Sequence, residues 1–361
     1  MTRNILMPVR TVAEWGGVHE WTVDAAQSLL SAGHTVTFVG QGVVFEERAR
    51  ATGADFITVD WGDWKSSAEQ VAGDPRARAA DLIFAHAPHA RMLGLELSRR
   101  LGTELYVMIH GAYHDYMYTW SHHATGFLAA SPSLVHFTHR FGRVEPWKVS
   151  LVPNAAPRAA FDLPLRTLDE RTSDGVGRVV TAARLARDKL SQIEPTLQTI
   201  ATCAQLRPDL RWQLDVYGDG PERDSFERAY RTGLRALPNA RVEFHGWIEP
   251  HEVPLKMNDS VVGIAAGMTG VRTIASGALC VGVGARSFVG VQQGQNLRAG
   301  LWSNFGDHGT MRFTATDLQD DLRAYLDTAR YDDAVRDARE ILRRTNSQEV
   351  VDGAMLSALQ C

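Results

Sequence analysis

Short apolar runs recur along this chain, and between many of them the apolar positions repeat with the period of a helix. Runs that lack clean alternation suit parallel strands covered on both faces, so the pattern predicts strand, helix, strand units around open, doubly wound α/β sheets. The clearest unit spans residues 178–221. A β-branched run at 179–181 is followed by a helical stretch at 193–206, with Ile193, Leu197, Ile200, Ala201 and Ala204 on one face. Residues 210–217 then alternate as a strand and stop at Gly218-Asp219-Gly220-Pro221. Proline can open the next helix there, because its missing N–H would go unpaired in a first turn anyway.

An earlier unit has a strand at 5–9, a loop containing Gly16 and Gly17, a helix at 18–31 and a strand at 35–39. Further strands are expected at 56–59, 82–85, 105–109, 126–130 and 149–152, with helices at 67–71, 90–101 and 134–141. Beyond residue 221 the pattern gives strands at 242–244, 260–264 and 278–282, and helices at 222–237, 253–257 and 271–276. Helical stretches at 315–329, 332–344 and 348–359 close the chain. The expected division is a first α/β domain at 1–152, a linker at 153–177 rich in Pro, Arg, Asp and Ser, a second α/β domain at 178–314, and C-terminal helices at 315–361, the last able to pack back on the first domain. Both domains repeat one supersecondary unit, which suggests two similar domains facing across a cleft.

Composition narrows this reading. A length of 361 residues exceeds what one core comfortably fills, in agreement with two domains. The net charge of -4 argues against a dedicated nucleic-acid surface. Cys203, Cys280 and Cys361 are scattered and odd in number, which suits a reducing compartment and offers no metal cluster. No secretory apolar region or membrane-length segment is present, so a cytoplasmic location is expected.

Arg184 and Lys189 fall just after the strand at 179–181, where ligands of such units lie. They read either as a diphosphate clamp or as two charges in a solvated loop. Gly16 and Gly17 permit close backbone approach above the first strand, or form a plain turn. The stretch 108–124, MIHGAYHDYMYTWSHHA, begins where a strand ends and concentrates His110, Tyr113, His114, Asp115 and Trp120. Aromatic rings beside polar groups suit a sugar or cyclitol pocket; a locally satisfied aromatic cluster is the plainer alternative. His110 and His114 could ligate a metal, but no third ligand is assured, and neither a metal nor a cofactor is expected. His110 reads as a neutral polar contact, Asp115 as a group that orients an acceptor or takes its proton, and His19 with Glu20 as facing the same cleft or as first-turn helix residues.

Several motifs occur in order: GGVHEW after the first strand, His110-Gly111, VPNAAP at 152–157, ARLARDK at 183–189, YGDGP at 217–221, VEFHGWIEPHEVP at 242–254 and ASGALCVGV at 275–283. Together they resemble the retaining glycosyltransferases of the GT-B fold, in the large family that includes sucrose and mannosyl transferases. The resemblance implies two Rossmann-like domains, with the donor held mainly by the second. Arg184 and Lys189 would then meet the diphosphate, His110 would lie near the transferred sugar, Gly16 and Gly17 would approach donor or acceptor, and Gly218 would let the chain pass close to the donor base.

One departure is large. The family usually carries two glutamates eight positions apart, one on the donor hexose and one on the ribose, whereas VVGIAAGMTGVRTIASG contains no acidic residue. Arg272 stands where the second would fall, and Gly267 and Gly270 flank a possible backbone nest at Met268 and Thr269. Two donors follow: a nucleotide sugar held by substituted contacts, or a sugar phosphate such as phosphoribosyl pyrophosphate. The expected reaction is retaining transfer to a hydroxyl of a small soluble acceptor such as an aminocyclitol or other natural product. A non-catalytic sugar-phosphate binding protein of the same fold is the reading from a different class. The expected partners are the donor, the small-molecule acceptor and, as an alternative to a monomer, a second copy of the chain, with no nucleic acid and no transmembrane segment.

Overall fold

Seven parallel strands form the first sheet: β1 (Asn4–Pro8), β2 (Thr35–Gly40), β3 (Asp55–Thr58), β4 (Leu82–Ala87), β5 (Glu104–Ile109), β6 (Gly126–Ala129) and β7 (Val149–Leu151), in the order β3-β2-β1-β4-β5-β6-β7. Helices α1 (Gly17–Ser31), α2 (Val43–Ala51), α3 (Trp64–Gly73), α4 (Pro75–Arg78), α5 (Arg91–Leu101) and α6 (Pro132–Gly142) make the crossovers. Ile5, Leu6, Met7, Phe38 and Phe84 are buried in this sheet, which is why these strands read as continuous apolar runs. The computed structural model describes residues 2–11, 15–88, 90–309 and 313–361, so residues 12–14 of the Gly16-Gly17 loop lie outside the described part.

A second sheet has the order β10-β9-β8-β11-β12-β13. Its strands are β8 (Val176–Ala182), β9 (Arg211–Tyr217), β10 (Ala240–Gly246), β11 (Val262–Ala265), β12 (Leu279–Val283) and β13 (Phe288–Val291). Five are parallel, whereas β13 turns back antiparallel on β12. The helices of this part are α7 (Arg158–Asp162), α8 (Leu168–Arg171), α9 (Ile193–Leu206), α10 (Arg223–Leu234), α11 (Val253–Asn258), α12 (Gly267–Ala275), α13 (Gly294–Ser303), α14 (Leu318–Tyr325) and α15 (Thr328–Asn346), followed by α16 (Gln348–Ala358). At the edge of this sheet, β10 shifts register against β9 between Phe244 and Gly246, leaving His245 as a bulge.

The chain divides into a unit of residues 1–153 with 351–361 and a unit of residues 154–350. Within the first, Ser28 on α1 donates to Asp352 on α16 at 2.8 Å. The stretch 153–177 differs from the connector expected of its polar composition. It holds α7 and α8, and Ala156, Ala160, Phe161 and Leu168 are buried. Two buried arginines account for this order. Arg171 donates from Nη1 to Ser260 O at 2.6 Å and to Asn258 O, from Nη2 to Gly277 O at 2.5 Å, and from Nε to Arg166 O at 3.1 Å. Arg339 on α15 donates to Ala275 O at 2.7 Å, Phe161 O at 2.8 Å and Leu163 O at 2.7 Å. Each guanidinium satisfies several carbonyls at once, which the sequence pattern, reading arginine as solvated, does not reveal.

His19 also departs from its expected place at a ligand. It is 3% exposed on the core face of α1, between the rings of Trp15 and Phe45, with Thr11 Oγ1 3.1 Å from Nε2. Its position on the same helical face as Thr22 and Ala26 turns it inward. Burial lowers its pKa from 6.5 to about 4.

Two outcomes follow from this packing. Replacing Arg171 by Met should destabilise the full chain by on the order of 3 kcal/mol, because several buried carbonyls lose their donor; urea unfolding checks it, and a change within error would refute the role. Between pH 6.5 and 4 the unfolded chain takes up a proton at residue 19 that the folded chain refuses. Stability should therefore be complete above that window and fall through it by up to ~3 kcal/mol. His19→Gln should show a shallower loss than the parent chain over the same pH range.

Candidate functional site

In open α/β sheets the ligand crevice lies beyond the carboxyl ends of the strands, where the strand order reverses. In the second sheet this point falls between β8 and β11, adjacent in space though far apart in sequence. The chain leaving β8 carries Arg184 and Lys189, and the chain leaving β11 enters α12 at Gly267. Thr269 Oγ1 donates to Ala182 O at 3.1 Å and joins the two exits. Ala266 gives α12 no side-chain cap, so Met268 and Thr269 offer first-turn backbone N–H groups above the sheet.

The exits from β8 and β9 press backbone against backbone. A Cβ on Gly218, whose φ is +124°, would lie 1.9 Å from Ala183 O, and one on Gly220 would lie 2.4 Å from Leu185 O. No other residue fits either position.

Lys189 Nζ is 2.8 Å from Asp307 Oδ1, and both side chains are largely buried. Ala285 N–H donates to the same oxygen at 3.0 Å. The other carboxylate oxygen faces α12: it lies 3.0 Å from where a Cβ of Gly267 would be. Asp307 therefore stands between the expected clamp lysine and the head of the helix. It arrives on the turn after α13, where Asn304 and Phe305 both adopt left-handed backbone angles, φ 54° and 56°. The Phe305 ring fills the space beside Gly270, where a Cβ would sit 2.7 Å from Cγ. Gly270 thus serves ring packing at α12.

Arg184 is half-exposed, 3.5 Å from Asp188. Arg272 is 7% exposed in α12, so burial keeps its guanidinium from adding charge at the surface for a phosphate.

In the first unit, His110 lies just past β5, its Nε2 2.9 Å from Nδ1 of His86 on β4 and its ring edge-on to Trp21 at 5.1 Å. Gly16 is the N-cap of α1 with fully extended backbone, a Cβ there would meet nothing within 4 Å, and Gly17 is the first helical residue. The rest of the aromatic stretch does not converge with His110. Because β5 and β6 are parallel, the chain must return along the sheet before β6 begins. Asp115 is held by Arg91, which lies over the ring of the buried Trp120. Tyr113 is 55% exposed, and exposed His114 contacts the rings of Tyr116 and Phe141. Asp115 and Trp120 thus fasten the loop, and Tyr113 and His114 lie on its surface.

Among the described residues, one group has metal-ligand chemistry: Asp215 on β9 with Glu243 and His245 on β10, whose ligand atoms lie within 4.8 Å of one another. His245 Nε2 is 2.7 Å from Asp215 Oδ1, and Arg241 pairs with Glu243 at 3.1 Å, so internal hydrogen bonds already engage all three. Two residues absent from the sequence-derived site stand out, His86 and Asp307. His86 is the first histidine of AHAPHA, one position beyond the expected end of its strand, and Asp307 sits in the turn-rich run NFGDHG.

No family model matches the chain, and no curated protein matches it. Solved structures do. A glycosyltransferase from Rickettsia africae aligns over 99% of this chain and 98% of its own at 13% identity, with a TM-score of 0.72. HepE from Anabaena, in complex with UDP, aligns over 100% of both chains at 15% identity and a TM-score of 0.74. Sucrose-phosphate synthase from Thermosynechococcus elongatus covers 99% of this chain and 98% of its own at 14% identity and a TM-score of 0.68. At such identities the likeness establishes architecture, and the chain has the GT-B fold: two Rossmann-like parallel-sheet domains with a C-terminal helical region.

Proposed function

We propose that this chain is a retaining glycosyltransferase that moves a sugar from a nucleoside diphosphate donor to a hydroxyl of a small acceptor. The observation that carries the reading is the ion pair at the second sheet's switch point, where one carboxylate, Asp307, pairs with Lys189 and lies close to the head of α12. Such a point combines what a sugar diphosphate needs. Lys189, with Arg184 nearby in sequence, supplies positive charge, the first turn of α12 supplies backbone donors, and Asp307 supplies an acceptor for sugar hydroxyls. Asp307 thereby offers the acidic function that residues 262–277 lack. HepE, which has a matching fold, is also known in complex with UDP-glucose, which supports a nucleotide sugar over a donor bearing more phosphate.

In the reaction the bond from the anomeric carbon to the diphosphate oxygen breaks while a bond to the acceptor oxygen forms on the same face. The departing phosphate takes the acceptor's proton. Arg184 and Lys189 act as charge grows on the leaving oxygen, and Asp307 keeps the Lys189 ammonium oriented. In the first unit, His110 is assigned a polar contact to substrate through a ring nitrogen. Among the described residues no helix is long and apolar enough to cross a membrane, which suits a small acceptor.

Incubating the protein with UDP-, GDP- and dTDP-sugars and phosphoribosyl pyrophosphate across an acceptor panel should yield a glycoside with one nucleotide donor, its anomeric configuration retained by NMR. Saturable donor binding without any product would favour a non-catalytic binding protein, and turnover with phosphoribosyl pyrophosphate alone would replace the nucleotide donor. Lys189→Ala should lower kcat by about 10²-fold or more. Asp307→Asn should lower kcat/KM by about 10- to 100-fold with little change in melting temperature. Near-parental kinetics in either variant would remove that residue from the site.

A further inference from the structure

His86 is 1% exposed and flanked by rings: Phe84 at 4.7 Å, Trp21 at 5.6 Å and His110 at 5.2 Å between centroids, the last nearly parallel at 22°. Its Nδ1 meets Nε2 of His110 at 2.9 Å, and among the described residues its own Nε2 meets no partner. Complete burial drives its pKa well below 6.5, so the imidazole is neutral and carries one proton.

One proton lies between the two rings, and either ring can own it. If His110 donated from Nε2, the single proton of His86 would have to sit on Nε2, a buried N–H with no acceptor. If His86 donates from Nδ1, the group left over is only a lone pair against aromatic rings. Orphaned buried N–H groups are the rarer and costlier kind, so the second arrangement prevails.

We infer that His86 is a positioning residue that fixes the tautomer of His110, placing the proton of the His110 ring on Nδ1. His110 then gives a hydrogen bond only through Nδ1, and Nε2, saturated by His86, is withheld from any ligand. This rests on the proposed transfer reaction only for its consequence: His110 can hold a substrate oxygen through Nδ1–H but cannot accept the acceptor's proton at Nε2. The work of proton acceptance is left to the leaving phosphate.

The test reads the tautomer directly in the full chain. Long-range proton–nitrogen correlation spectra of histidine-labelled protein at neutral pH should show His110 protonated at Nδ1 and bare at Nε2, with His86→Asn and His110→Gln used to assign the signals. A His110 protonated at Nε2 in the parent chain would overturn the inference. His86→Asn keeps a donor near the place of Nδ1 and should keep the His110 tautomer. His86→Leu removes the donor and should shift His110 toward the Nε2–H form, and an unchanged tautomer there would also overturn it. If the His86→Leu variant does not fold, the parent spectrum and the His86→Asn variant still decide. With an active donor in hand, His86→Leu should lose about tenfold or more in kcat with KM little changed, as expected when the hydrogen bond His110 offers to substrate is mis-set. Absence of any transfer by the parent chain would defeat the proposed reaction while leaving the tautomer result standing.

Discussion

The wedge of Phe305 against Gly270 sets the geometry of the second unit's site. Phe305 is 1% exposed, yet its backbone sits in the left-handed region that a bulky residue occupies at a cost of about 1–3 kcal/mol. Surrounding bonds hold it there: Gly306 N–H donates to Ser303 Oγ at 3.0 Å, His308 N–H to Ser303 O at 2.9 Å, and Gly306 O accepts from the backbone of Arg286 and Ser287. Asn154 donates to Asn304 at 2.9 Å. With the ring seated, the next turn of chain places Asp307 between Lys189 and the start of α12. Removing the glycine or relaxing the turn would release the carboxylate, and the lysine would lose its orientation with it.

The two units prepare their chemistry in opposite ways. In the second, charge is kept and paired, with Lys189 and Asp307 in partial contact with solvent where a polar ligand can reach them. In the first, charge is removed: His86 and His19 are buried and held neutral, and His110 is reached through one of them.

Periodicity exposed most of the fold. The apolar runs located the parallel strands of both sheets because burial on both faces leaves few polar positions to confuse the reading. It missed β13, four residues of Phe, Val and Gly that turn back on β12, and it missed α2 and α13, which carry many polar residues. It also read 153–177 as a connector, since nothing local says that Arg171 will be buried under three carbonyl-bearing segments. Near the switch point, Gly218 was legible as a close backbone approach because it follows β9 directly, and Lys189 was singled out on the chain leaving β8, where it pairs with Asp307. Asp307 was not, since it reaches α12 from a distant turn in the chain, a proximity only the fold creates. Trp120 and Asp115 misled for the converse reason: a sequence rich in rings and charges looks like a pocket, whereas here Arg91 holds Asp115 and lies over the Trp120 ring along the return to β6.

The bulge at His245 bears on how the molecule behaves among its own copies. An open sheet ends in a row of unpaired backbone groups that can template another chain. On β10 the extra residue breaks the regular spacing of those groups, and Arg241 and Glu243 stand charged along the same strand. A bulge and charged side chains along an edge strand are features that disfavour edge-to-edge pairing with another copy.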